Sequence, residues 1–183
     1  MTEQIMDLTN ASDVDDIENL YLTFEVAKET YAVNIKHVTE IVGMQRISAM
    51  PDVPDFIRGA MNLRGKVIPV MDVRLRFGLP WQDYDERTTI IVLDLNGAPT
   101  GLVVDQVTDV LTIVPENIDP PTHWHNSGAK GGSEKSDQGV VKGLGRHKDG
   151  VSIILDVPRL LSEKDLFINL PGQSAQPEAG KLT

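Results

Sequence analysis

Residues 31–42, YAVNIKHVTEIV, return without a gap at residues 100–111 as TGLVVDQVTDVL, an offset of 69 positions (100 minus 31). The same offset lays Leu22, Phe24 and Val26 on Ile91, Leu93 and Leu95. Further along, VIPVMDV at 67–73 matches VSIILDV at 151–157, and Gly59 matches Gly143, now at an offset of 84 (151 minus 67). The difference of 15 (84 minus 69) is extra length in the second copy, between Val114 and Val140. Self-similarity of this kind reads as duplication of one small unit.

The unit is made of strands. Leu20, Leu22, Phe24 and Val26 alternate with Tyr21, Thr23 and Glu25, the period of two expected of a half-buried strand. A turn at Lys28-Glu29-Thr30 follows, and Tyr31, Val33 and Ile35 resume the alternation. Each copy closes on an Asp-led helical start, DVRLRF at 72–77 and DVPRLL at 156–161. The Asp side chain suits the cap position, and Pro158 falls where its missing N–H matters least. Copies this short are too small for a sandwich and fit small closed barrels of about five strands, which remove exposed edges.

The expected organisation is an acidic, flexible leader at 1–16, a folded unit at 17–168 and a flexible tail at 169–183. A linear division puts the first barrel at about 17–85 and the second at about 86–168. The Gly/Ser/Lys-rich stretch at 121–139 has no apolar period and is expected to be a mobile loop.

Composition excludes several function classes. The chain has 183 residues and a formal charge of −10, which argues against nucleic-acid phosphates and against anionic membrane surfaces. With no cysteine there is neither a disulfide framework nor a thiolate nucleophile, which fits a reducing cytoplasm. No run approaches the roughly 20 apolar residues of a membrane span, and the N-terminus lacks the basic start and apolar centre of a signal peptide.

No catalytic pattern emerges. His123-Trp124-His125 offers two imidazoles but no third ligand at a definite spacing, so no metal is expected. GAKGGSEKS at 128–136 has Ala129 and Glu134 where a phosphate loop needs glycine. No Gly-x-Ser-x-Gly elbow occurs. Glu25, Glu40, Asp94 and Asp109 sit on polar strand faces, which favours solvated carboxylates over acid–base pairs. No cofactor is expected.

The richest stretch is PDVPDFIRGAMNLRGKVIPVMDVRLRFG, residues 51–78. Its two apolar runs meet at a tight Asn62-Leu63-Arg64-Gly65 corner whose tip carries a cation. Arg58, Arg74 and Arg76 read as surface and helix-end ion pairs of small worth. Arg64, on a loop held by a rigid scaffold, reads as a partner-binding residue. The prolines before it hold the chain extended, making Met50 to Pro54 a docking strip and Phe56 an anchor in the core.

This stretch from Ala49 to Arg74, together with GLVVDQVTDVL at 101–111, resembles the CheW family of bacterial chemotaxis coupling proteins, over about Asn19 to Phe167. The resemblance implies a mainly β fold of two packed SH3-like five-stranded barrels with short helices, and no enzymatic activity. It implies an adaptor in two-component signal transduction, joining the cytoplasmic tip of a transmembrane chemoreceptor to the regulatory domain of a CheA-like histidine kinase. Such a protein is cytoplasmic and recruited to membrane-associated receptor arrays. By motif position, Ile35, Val38 and Arg64 would face the receptor, and Glu40, Ile41, Pro51, Pro54 and Gly59 the kinase. Two other readings stay open: a coupling protein serving surface motility or cyclic-dinucleotide signalling, and a ligand-binding β-barrel domain with a site between its barrels.

Overall fold

The computed structural model describes residues 17–121 and 139–162; the expected tails and nearly all of the loop at 121–139 lie outside them. Within the described residues, β1 (Leu20–Val26) and β2 (Glu29–Asn34) form a hairpin, followed by a 3-10 turn at Ile35–His37. Next come β3 (Val38–Gly43), β4 (Ile47–Ser48), β5 (Ile57–Leu63), β6 (Lys66–Asp72) and the helical turn α1 (Val73–Arg76). The second copy repeats the series as β7 (Thr89–Leu95), β8 (Ala98–Val104), β9 (Gln106–Thr112), β10 (Ile118–Asp119), β11 (Val141–His147), β12 (Gly150–Leu155) and α2 (Val157–Leu160).

These strands form two sheets, ordered β10-β11-β12-β2-β1-β9 and β3-β7-β8-β6-β5-β4. Each has six strands rather than the expected five, because the two-residue strands β4 and β10 join the edges beside β5 and β11. The duplication is visible bond by bond. Leu22 lies opposite Val33 as Ile91 lies opposite Leu102, and Met71 opposite Ile57 as Leu155 lies opposite Val141. Ile118 opposes Gly145 as Ile47 opposes Met61, so the offset at β10 is 71 (118 minus 47), and 13 of the extra residues (84 minus 71) follow Asp119.

The sheets do not follow the linear division near residue 85. Hairpin β1–β2 joins β9 to β12 of the second copy, and hairpin β7–β8 joins β3 to β6 of the first. The exchange runs through two parallel pairings, β2 with β12 and β6 with β8. A parallel partner needs a long crossover: α1, the connection after it and β7 lie between β6 and β8, and everything from β3 to β11 lies between β2 and β12.

The exchange gives the sheets three apolar clusters. Leu22, Phe24, Val33, Ile91, Leu93 and Leu102 bury against one another between the sheets. Met61, Ile68, Val70, Ile90 and Val92 fill the inside of one sheet, and Tyr21, Ala32, Ile113 and Ile154 the inside of the other. Hence β1 is buried on both sides, not half-buried: Tyr21 and Thr23 are 3% and 2% exposed. Thr23 is accommodated because its hydroxyl bonds the Thr108 hydroxyl at 2.8 Å and donates to the Asp109 carbonyl at 2.9 Å. The turn between β1 and β2 is Ala27-Lys28, both at positive φ, so β2 starts at Glu29, earlier than the expected Tyr31.

Both expected caps form. Asp72 and Asp156 accept from the amides of Leu75 and Arg159 at 3.2 and 3.0 Å. Gly59 and Gly143 mark matching bulges, each with its backbone against a carbonyl of the short edge strand beside it.

Candidate functional site

The Asn62–Gly65 corner is a two-residue turn. β5 ends at Leu63, β6 begins at Lys66, and Arg64 and Gly65 take φ of 51° and 83°. The hand of that turn matches the twist of the strands it joins. The Asn62 side chain accepts the Gly65 amide at 2.9 Å, bracing the corner so that Arg64 stands out from it.

Arg64 is exposed at the tip and is paired there. Its guanidinium makes a two-pronged ion pair with Glu40 on β3, one of the bonds measuring 3.2 Å. The Arg64 side chain remains 78% exposed against 22% for Glu40. A pair so open to water contributes well under about 1 kcal/mol to stability, so it acts as a surface feature and not as a fold determinant. The structure thus joins a residue expected to face the receptor to one expected to face the kinase.

The other expected residues divide by environment. Ile35, in the 3-10 turn, and Val38, at the start of β3, are half-buried, and Val38 packs on the core between the sheets. Ile41 also packs there, held opposite Ile91. Pro51 and Pro54 are exposed, with the Pro54 carbonyl accepting the Ile57 amide at 2.9 Å. Gly59 is buried and presents no side chain; its backbone lies against Ser48. Phe56 is half-buried against the core, with Arg76 5.1 Å from its ring centroid.

The polar groups considered for catalysis have structural duties. Glu25 accepts the Gln106 amide at 2.8 Å, Asp94 accepts the Gly97 N–H at 2.8 Å, and Asp109 accepts the Val110 N–H at 2.7 Å. Among the described residues no group of three or more His, Asp or Glu stands close enough to hold a metal ion. The His123/His125 pair and the glycine-rich stretch at 128–136 lie outside the described residues.

The two-sheet body has known counterparts. The CheW-like domain family model matches residues 20–165. The chain belongs to the CheW-like family. It is 34% identical to chemotaxis protein CheW of Klebsiella aerogenes, over 81% of this chain and 84% of that protein. It is 27% identical to chemotaxis protein CheW of Bacillus subtilis, over 84% and 93% of the two chains. Among solved structures it matches the crystal structure of scaffolding protein TtCheW from Thermoanaerobacter tengcongensis, with a TM-score of 0.68 at 31% identity, covering 81% of this chain and 95% of that one. CheW-like proteins are non-enzymatic scaffolds, and this one is a chemotaxis coupling adaptor. Among its described residues no helix is long and apolar enough to cross a membrane.

The CheW-like frame also holds a cluster that sequence reasoning missed. Arg58 on β5 lies over the Trp81 ring at 4.3 Å, and Trp81 meets Tyr84 edge-on at 4.8 Å. Tyr84 in turn donates to Asp72 at 2.9 Å. In a chain with only 5% aromatic residues, Trp81 and Tyr84 close together in a connection are the signal that could have revealed it. Arg74, read as a helix-end cation, pairs with Asp105 of the second copy.

Proposed function

We propose that this adaptor couples the cytoplasmic tip of a transmembrane chemoreceptor to the regulatory domain of a CheA-type histidine kinase, working in the cytoplasm at receptor arrays. Ile35, Val38 and Arg64 serve the receptor contact. Glu40, Ile41, Pro51 and Pro54 serve the kinase contact, with Gly59 keeping β4 and β5 close enough to carry the proline strip. The observation that carries this reading is the Arg64–Glu40 pair. It is exposed, adds little to stability, and sits on a braced corner of a rigid body, the setting in which arginine serves as an interface anchor. Contacts built on such a face are small and partly polar, which suits reversible assembly.

The test is co-purification of the full chain with a receptor cytoplasmic tip and a kinase regulatory domain, separately and together. Capture of each alone, and a three-component complex when both are present, is expected. Binding to neither would refute the proposal.

A further inference from the structure

The chain crosses between its sheets at two places related by the duplication: Ile35–His37 between β2 and β3, and Asp105 between β8 and β9. Each crossing lines a cleft beside the Asp that caps a helical turn. In the first cleft, of about 390 Å³, acids outnumber bases, Glu25, Asp72, Asp83, Asp85 and Asp105 against Lys28, Arg74 and Arg87, and most of the acids are engaged. Asp105 holds Arg74 and the Ala27 amide, Asp72 holds the Leu75 amide and the Tyr84 hydroxyl, and Glu25 holds Gln106.

The second cleft, of about 150 Å³, has the opposite sign. Lys36 and His37 occupy the positions of Asp105 and Gln106, Lys142 that of Arg58, and Pro158 that of Arg74. Among the described residues no side chain pairs with the ammonium of Lys36 or Lys142. The acid of this cleft, Asp156, is engaged by Arg159, through the amide at 3.0 Å and through Nε at 3.9 Å. Asn34 is also committed: its oxygen accepts the Lys36 amide at 3.0 Å and its nitrogen donates to the Glu18 carbonyl at 2.6 Å. What remains is a small recess lined by two exposed lysines, neither paired among the described residues, and by the half-buried His37, whose ring is engaged by the Asp94 backbone.

We propose that this second cleft binds a phosphate group between Lys36, Lys142 and His37. The volume suits a single oxyanion, and the one carboxylate in the wall, Asp156, is engaged by Arg159. Lysine serves phosphate as a point charge, whereas a planar carboxylate is matched better by the arginine fork. Two ammonium groups balance a dianion. In a chain of net charge −10, two unpaired lysines beside one recess favour an anion there. Burial, and the nearby Lys36 and Lys142, hold the His37 imidazole below its usual range, while the Asp94 carbonyl and Asp156 oppose them. A bound dianion would reverse that bias.

The experiment titrates the isotope-labelled full chain with inorganic phosphate at ionic strength held constant with chloride, followed by amide and imidazole NMR shifts. Acetate is the monoanionic control, and phosphoserine the ester arm. Saturable shifts at Asn34, Lys36, His37, Lys142 and Asp156 are expected for phosphate, with the His37 imidazole moving toward protonation; acetate should give no saturable response. The double variant Lys36→Gln/Lys142→Gln should bind about tenfold more weakly, as expected for loss of charge-assisted bonds. Lys148→Gln, on the distant β11–β12 turn, should bind unchanged. Phosphoserine binding as tightly as phosphate assigns an esterified phosphoryl group, and weaker binding assigns the free ion. Non-saturating shifts, an equal response to acetate, or full affinity in the double variant would overturn the proposal.

Discussion

The guanidinium of Arg64 grips both carboxylate oxygens of Glu40, although β3 and β5 are four strand spacings apart in their sheet. Laid flat, those strands would be about 19 Å apart. The pair therefore spans a seam at which the sheet has curled back on itself. It reports barrel closure and at the same time presents a cation on the outside.

Because the pair is exposed, its removal should separate binding from folding. Arg64→Glu places two carboxylates at the seam, which costs less than about 1 kcal/mol in a urea melt. The same change should weaken capture of the receptor tip about tenfold or more, as for an interface anchor. An unfolded variant, or one that still captures the tip at full strength, would contradict this. In a double-mutant cycle with Glu40→Ala, the coupling in stability should be small.

Gly59 and Gly143 are equivalent by duplication but not in tolerance. A Cβ at Gly59 would lie 2.0 Å from the Ser48 carbonyl oxygen, with φ at +135°. At Gly143 it would lie 2.7 Å from the Asp119 oxygen, without the positive φ. Gly59→Ala should destabilise by about 3 kcal/mol or more and Gly143→Ala by about 1–2 kcal/mol. Denaturant unfolding of the two variants checks the order.

Tyr84 should shape the alkaline limb of stability. Burial and the Asp72 carboxylate that accepts its hydroxyl push the phenol above its usual range. In the unfolded chain it ionises near about 10. The folded state holds the proton more tightly, so the contribution is fully present below that pH and is lost as pH rises toward the folded value. Tyr84→Phe should flatten this fall when urea midpoints are compared across alkaline pH.

Asp105 ties three elements of both copies. It pairs with Arg74 at α1, accepts the Ala27 amide at 2.8 Å, and sits at the β8–β9 crossing. Asp105→Ala leaves Arg74, with a side chain only 13% exposed, without its carboxylate. A loss of about 1–3 kcal/mol is expected, with faster hydrogen exchange at Ala27 and Lys28. Unchanged exchange there would show that the turn is held by its backbone alone.

Much of this was legible in the residues. The alternation from Leu20 to Val26, the Asp72 and Asp156 caps and the Asn62–Gly65 corner are local, and spacing reveals local features. The docking role assigned to Arg64 rested on its place at that corner. Its partner Glu40 was noted separately, because a contact 24 positions away across a curled sheet leaves no periodic trace. The Arg58–Trp81–Tyr84 stack escaped for the same reason, and the burial of Thr23 because alternation marks one core face and not two.

The repeat alone established two copies of one β unit and the residues that cap and turn it. Only the tertiary structure decided how the copies share strands: β2 lies beside β12 and β6 beside β8, so neither sheet is built from one copy. Local pattern cannot choose between equivalent partners. When Tyr31 and Thr100 begin matching strands, either can accept the parallel neighbour. Burial of Leu22, Phe24, Ile91 and Leu93 in one shared core between the sheets accompanies the exchange, and that core exists only once both sheets are in place.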